Sequence, residues 1–216
     1  MKSVAAVVLS VLAMMSAGSA IDTSALKPPK GAKVALVVFE DLQCPDCARA
    51  EPLLEEAVRT YNIPLVRHDF PLPLHNWSFE AHVIGRYFTE KSPQLGEEYW
   101  RYIYANQSGI YRLNLRAKVD EFAAQHHVTL PAIYDPKGEL AAKVKEDFAL
   151  GQRAGVGHTP TIYVVSDTQR GTPFVEVVKR EELFQLIEQV KAQVAQEQPV
   201  AAPVRAKKKT ASVKKQ

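Results

Sequence analysis

The chain has 216 residues, a formal charge of +3, 46% hydrophobic residues and only two cysteines. Lys2 and six cations between 198 and 216 carry seven positive charges, so the rest of the chain stands near −4, which speaks against a nucleic-acid-binding domain. About 175 residues lie between the two ends, enough for one domain with a real core and too few for two.

In chain order, Lys2, the apolar stretch Val4 to Met15 and the small residues Ala17-Gly18-Ser19-Ala20 have the layout of a secretory signal peptide over 1–20, cleaved after Ala20. The stretch is short for a bilayer span, which makes a retained membrane anchor the weaker reading. Export predicts a periplasmic or secreted location, where an oxidising milieu bears directly on the cysteines. Val34 to Phe39 is a continuous apolar run rich in β-branched residues, expected as a central strand covered on both faces.

The tetrad Cys44-Pro45-Asp46-Cys47 follows at once and opens a helix-patterned segment. A thiol at a helix start lies beside unpaired N–H groups and the positive dipole end, which favour the thiolate. Cys44 is therefore the expected nucleophile and Cys47 the resolving thiol, close enough to attack a mixed disulfide on Cys44. Pro45 suits the first helical turn, where its missing N–H has no partner to lose. Asp46 places a negative charge near the sulfur and is expected to make Cys44 less acidic and its disulfide a weaker oxidant. A structural zinc site lacks a second pair of ligands, and a purely structural disulfide closing so short a loop would constrain the unfolded chain little. No metal is expected.

Beyond the tetrad, Leu53, Leu54, Ala57, Val58 and Tyr61 recur at helical spacing, with Glu51, Glu55, Glu56 and Arg59 on the other side. Ile63 to Phe70 is a second strand candidate ended by Pro71 and Pro73. From about 74 to 155 the pattern is a group of short helices; Trp77, Tyr87, Phe88, Tyr99, Trp100, Tyr102 and Tyr104 read as its core rather than as a peptide-binding surface. His68, His75 and His82 show no catalytic spacing. Thr161 to Val165, a polar turn Ser166 to Thr172 and Phe174 to Val178 predict an antiparallel hairpin, and Arg180 to Gln196 a closing amphipathic helix. Residues 198–216, rich in Lys, Ala and Pro with no acid, read as a disordered basic tail that contacts an anionic envelope surface or only solubilises the chain.

This order, with Cys-Pro-x-Cys at the first strand–helix junction, resembles the DsbA-like thiol:disulfide oxidoreductases of the thioredoxin superfamily. Arg67-His68-Asp69-Phe70-Pro71-Leu72, Tyr99-Trp100 to Asn106-Gln107, and Gly155-Val156-Gly157-His158-Thr159-Pro160-Thr161 carry the rest of the likeness. It implies an α/β thioredoxin fold over 32–196, a central mixed sheet flanked by helices with an inserted helical subdomain at 74–155. It also implies a cis Thr159-Pro160 facing Cys44, where the Thr159 backbone would bind an extended substrate peptide. Many relatives hold a buried acid six positions before the nucleophile; here that residue is Val38. Glu40 shares its face by strand alternation and is the substitute candidate, with Asp41 beside it, although either acid could lie on the surface. His158 is expected as a polar loop residue, with a base role as the secondary reading.

The function expected from the resemblance is oxidation of protein thiols through a Cys44/Cys47 couple, without a dissolved cofactor and with reoxidation by a membrane redox partner. Only about a dozen residues separate the expected cleavage site from the first strand, leaving no room for a dimerisation domain, so a monomer is expected. The alternatives are an envelope reductase or isomerase, toward which Asp46 points, and a chaperone-like binding module tethered by the basic tail.

Overall fold

The computed structural model describes residues 21–168 and 173–197. The expected signal segment, the basic tail and part of the Ser166 to Thr172 turn lie outside them.

The apolar run forms β1 (Val34–Glu40), buried along its whole length, and the tetrad leads into α1 (Pro45–Tyr61). Strand β2 (Leu65–Asp69) follows, then four helices, α2 (Ser78–Lys91), α3 (Pro93–Asn106), α4 (Leu115–Gln125) and α5 (Glu139–Arg153). Strands β3 (Thr161–Ser166) and β4 (Phe174–Glu176) and helix α6 (Leu183–Glu197) complete the order. The sheet order is β2-β1-β3-β4, with β1 parallel to β2 and antiparallel to β3, and β3 antiparallel to β4. This is a mixed four-stranded thioredoxin-type sheet with a helical insertion between β2 and β3.

Strand alternation assigns the two faces. Val34, Leu36 and Val38 pack with Ile162 and Val164 against Leu54 and Ala57 of α1 and Leu183, Ile187 and Val190 of α6. Ala35, Val37 and Phe39 face the other way, with Phe70, Tyr163 and Val165, toward the end of α5. A Cβ at Gly151 would lie 2.6 Å from the Phe70 ring and 2.9 Å from that of Phe39, so a residue without a side chain lets α5 lie this close to the sheet.

The insertion has a core of its own. Trp77, Phe88, Tyr99, Trp100 and Tyr104 are buried together with Ile103 and Phe122, as the core reading expects, Tyr87 and Tyr102 pack against them half-buried, and Leu42, Cys44 and Cys47 join the same cluster. The tetrad thus sits where the end of the sheet meets the insertion. The closing helix begins later than Arg180, because Arg180–Glu182 is a single 3-10 turn. The face of α1 opposite its apolar stripe is not wholly solvated, since Glu51 is buried.

Candidate active site

Cys44 is the residue that caps the start of α1, extended in backbone, with Pro45 in the first helical position. Its carbonyl accepts the N–H of Ala48 at 3.2 Å, and its own N–H donates to the Asp41 carbonyl at 3.0 Å. These bonds turn the chain from strand to helix within four residues. The Cys44 thiol donates to the Thr159 carbonyl at 3.3 Å, and the Thr159–Pro160 peptide bond is cis. Two residues 115 positions apart in the chain therefore meet at one sulfur. The Thr159 hydroxyl is buried with no hydrogen-bond partner among the described residues while Cys44 carries its proton, and a hydrogen bond from its side chain favours the anion.

The two sulfurs have opposite surroundings. A hydrogen bond from the Cys47 thiol, joined by donors from the Thr159 side chain and the N–H groups of Cys47 and Asp46, outweighs burial and lowers the Cys44 pKa to about 5. Cys47 is fully buried, and burial, the hydrogen bond to Cys44 and the charge of Glu40 push its thiol far up, although the Asp41 N–H lies 3.5 Å from its sulfur. At neutral pH the first sulfur is an anion and the second holds its proton.

Of the two places left open for Glu40 and Asp41, both acids take the inner one. Glu40 is fully buried; its carboxylate accepts from Arg67 Nη1 at 2.5 Å and from the Tyr104 hydroxyl at 2.8 Å. Arg67 also donates from Nη2 to Glu51 at 2.6 Å and from Nε to Glu97 at 3.0 Å, and its guanidinium lies 5.4 Å from the centre of the Trp100 ring. Burial and the charge of Glu40 raise the Glu51 carboxyl above the ordinary range against the pull of Arg67. Val38 faces α1 and α6 within the apolar core, so on that sheet face the acid stands two residues further along.

Asp41 is fully buried as well, but as a staple. Its two oxygens accept from the Gln43 N–H at 2.7 Å, the Leu72 N–H at 2.6 Å and the Ser78 hydroxyl at 2.5 Å, and pair with His75 Nδ1 at 2.7 Å. Around it, the Leu42 N–H donates to His82 Nε2 at 3.2 Å, and the other ring nitrogen of His82 lies 2.8 Å from Asp69. Gln107 Nε2 donates to the carbonyls of Leu42 at 2.8 Å and Cys44 at 3.1 Å. His75 and His82 have no catalytic spacing because their work is to pin the loop before Cys44. Sequence reading set Glu51 on the polar side of α1 and gave Gln107 and these histidines no individual role; the one available signal was a glutamate in the second turn of α1, one helical turn beyond Cys47.

Asp46 is turned to the outside of the tetrad, where Arg49 at 2.8 Å and Arg180 both hold its carboxylate. These bonds keep its carboxyl below the ordinary range despite a burial penalty. His158 is exposed, and its carbonyl accepts from the Thr161 hydroxyl at 2.7 Å, as suits a polar loop residue.

Two outcomes follow from this geometry. In the reduced chain, the folded state releases the Cys44 proton near pH 5 while an unfolded thiol keeps it to about pH 8.5. Stability relative to Cys44→Ala should therefore rise with pH from about 5 to about 8.5 in urea titrations and be lost as pH falls through about 5; a flat difference contradicts the assignment. Replacing Arg67 by Met leaves Glu40 and Glu51 buried without their cation and should cost about 3–5 kcal/mol by urea unfolding, whereas a loss under 1 kcal/mol would show that the ion pairs are not what holds this centre.

Residues 29–189 match the model of the thioredoxin family. No protein of curated function matches the sequence. Among solved structures, alpha-DsbA1 of Wolbachia pipientis is 13% identical with a TM-score of 0.64, over 79% of this chain and 92% of that one. A periplasmic thioredoxin-like protein from Salmonella enterica serovar Typhimurium is 18% identical with a TM-score of 0.61, over 76% and 88%. The catalytic domain of Proteus mirabilis ScsC is 18% identical with a TM-score of 0.60, over 80% and 93%. At these identities the likeness is one of fold, while the family match spans most of the chain. The chain belongs to the thioredoxin family, as a thiol:disulfide oxidoreductase of DsbA-like fold whose dithiol is Cys44–Cys47.

Proposed function

We propose that this protein oxidises the thiols of other proteins in the cell envelope. The observation that supports this most is the pairing of an anionic Cys44 at the start of α1 with a buried, protonated Cys47 behind it. A stabilised Cys44 thiolate is a good leaving group and favours the reduced dithiol, which makes the Cys44–Cys47 disulfide an oxidant.

In this reading a substrate thiolate attacks the Cys44 sulfur, the disulfide breaks, and the electron pair leaves on Cys47, which takes up a proton. A second substrate thiolate then attacks the substrate sulfur of the mixed disulfide and expels Cys44 as the thiolate. Substrate gains a disulfide, and its two electrons stay on the dithiol until a separate partner, a membrane oxidase, removes them. Glu40 is the group we assign to exchanging the Cys47 proton, with Arg67 and Tyr104 holding it in place. Thr159 and Pro160 are assigned to docking an extended peptide beside Cys44, because the Thr159 carbonyl already meets the sulfur. The leader-like residues 1–20 support export, and one structural relative is a periplasmic protein. The basic tail is assigned to an anionic envelope surface, and the protein to a monomeric state.

Equilibration with glutathione tests the direction of electron flow. A potential of roughly −180 to −120 mV, with oxidation of a reduced test peptide that Cys44→Ser abolishes, is expected. A potential near roughly −270 mV together with rapid insulin reduction would make the protein a reductase instead.

A further inference from the structure

The second residue between the cysteines is an acid, and an unshielded carboxylate there would oppose the anion on Cys44. The structure supplies two guanidinium groups to it. Arg49 comes from the next turn of α1 and is largely exposed, so its pair with Asp46 adds little on its own. Arg180 comes from the far end of the chain, in the 3-10 turn before α6, and is the less exposed of the two. That turn is fixed in position because Leu183, directly after it, is fully buried in the core under α1. The guanidinium is thus delivered to the tetrad by an element packed on the sheet.

We propose that Arg180 is a positioning residue of the redox centre: by holding the Asp46 carboxylate outward it shields the Cys44 sulfur from that charge and keeps the tetrad an effective oxidant. No Cys-Pro-x-Cys pattern names such a residue, since it lies 134 positions from its partner. The inference deepens the reading of Cys44 as the attacking sulfur and rests on it. The other charged groups near the sulfurs lie on the inner side: Glu40, Glu51 and Arg67 behind Cys47, and Asp41 with His75 below the loop. They are paired among themselves, which leaves, among the described residues, Asp46, Arg49 and Arg180 as the ion-paired set on the outer side of the tetrad, with the exposed His158 next to Thr159.

The test is a cycle of variants read by thiolate absorbance at 240 nm against pH in the reduced full chain. Arg180→Gln should raise the Cys44 titration midpoint by roughly half a pH unit or more, and Arg180→Lys, which keeps the charge, should stay near wild type. Asp46→Asn should lower the midpoint, and adding Arg180→Gln to it should then change little, because the charge to be shielded is gone. Equal shifts with and without the Asp46 carboxylate, no shift from Arg180→Gln, or a Lys variant that behaves like the Gln variant would each overturn the inference. A wild-type midpoint at the ordinary thiol value would overturn the underlying reading of Cys44 instead, so the two failures are distinguishable.

Discussion

The unlike behaviour of two sulfurs separated by one helical turn depends on a single constraint: α1 must begin where a strand buried on both faces ends. Strand β1 is paired on either side and packed above and below, so the point at which its chain emerges is fixed. Cys44 lands at that point, on the donor-rich end of α1 and against the Thr159 carbonyl. Cys47, one turn further, falls inward among Leu42, Trp100 and Tyr104 of the insertion core. The first sulfur gains hydrogen bonds to its anion and the second loses water.

Holding that arrangement is the work of polar groups rather than of the apolar core alone. The loop 41–44 is tied to the 72–78 segment through Asp41, to α2 through His82 and to the end of α3 through Gln107. The insertion is therefore not an appendage over the site; it sets the position of the nucleophile. Arg67 does the same beneath Cys47, where Glu40, Glu51 and Glu97 converge on one guanidinium. Removing water from several charges is costly unless each finds a partner, and here two helices and two strands contribute to satisfying them. The charge of Glu40 in this cluster raises both the Glu51 carboxyl and the Cys47 thiol.

Much of this was legible in the sequence because the signals were local. The β-branched run to Phe39, the tetrad, the helical spacing of Leu54 and Ala57 and the paired runs at Thr161 and Phe174 each announce an element whose periodicity is its own. The Thr159–Pro160 site was legible only through resemblance, since nothing local says that a threonine carbonyl will meet a cysteine 115 residues away. What stayed hidden was the burial of polar side chains on helices. Glu51 has the spacing of a solvent-facing glutamate on α1 and is inside only because Arg67 of β2 lies beneath it. His82 reads as an ordinary helical histidine, yet its ring bridges Asp69 and the Leu42 N–H, contacts that span 13 and 40 positions. Pairings between distant charges leave no periodic trace.

The central claim is that one sulfur of the reduced dithiol is an anion on a residue that keeps 6% of its surface exposed, while the other is fully buried with its proton. Brief alkylation of the reduced protein at pH 6, followed by mass spectrometric mapping, tests this most directly. A single adduct on Cys44 with Cys47 untouched is the result expected from the helix-start geometry. Equal labelling of both cysteines, or labelling of Cys47 first, would contradict it.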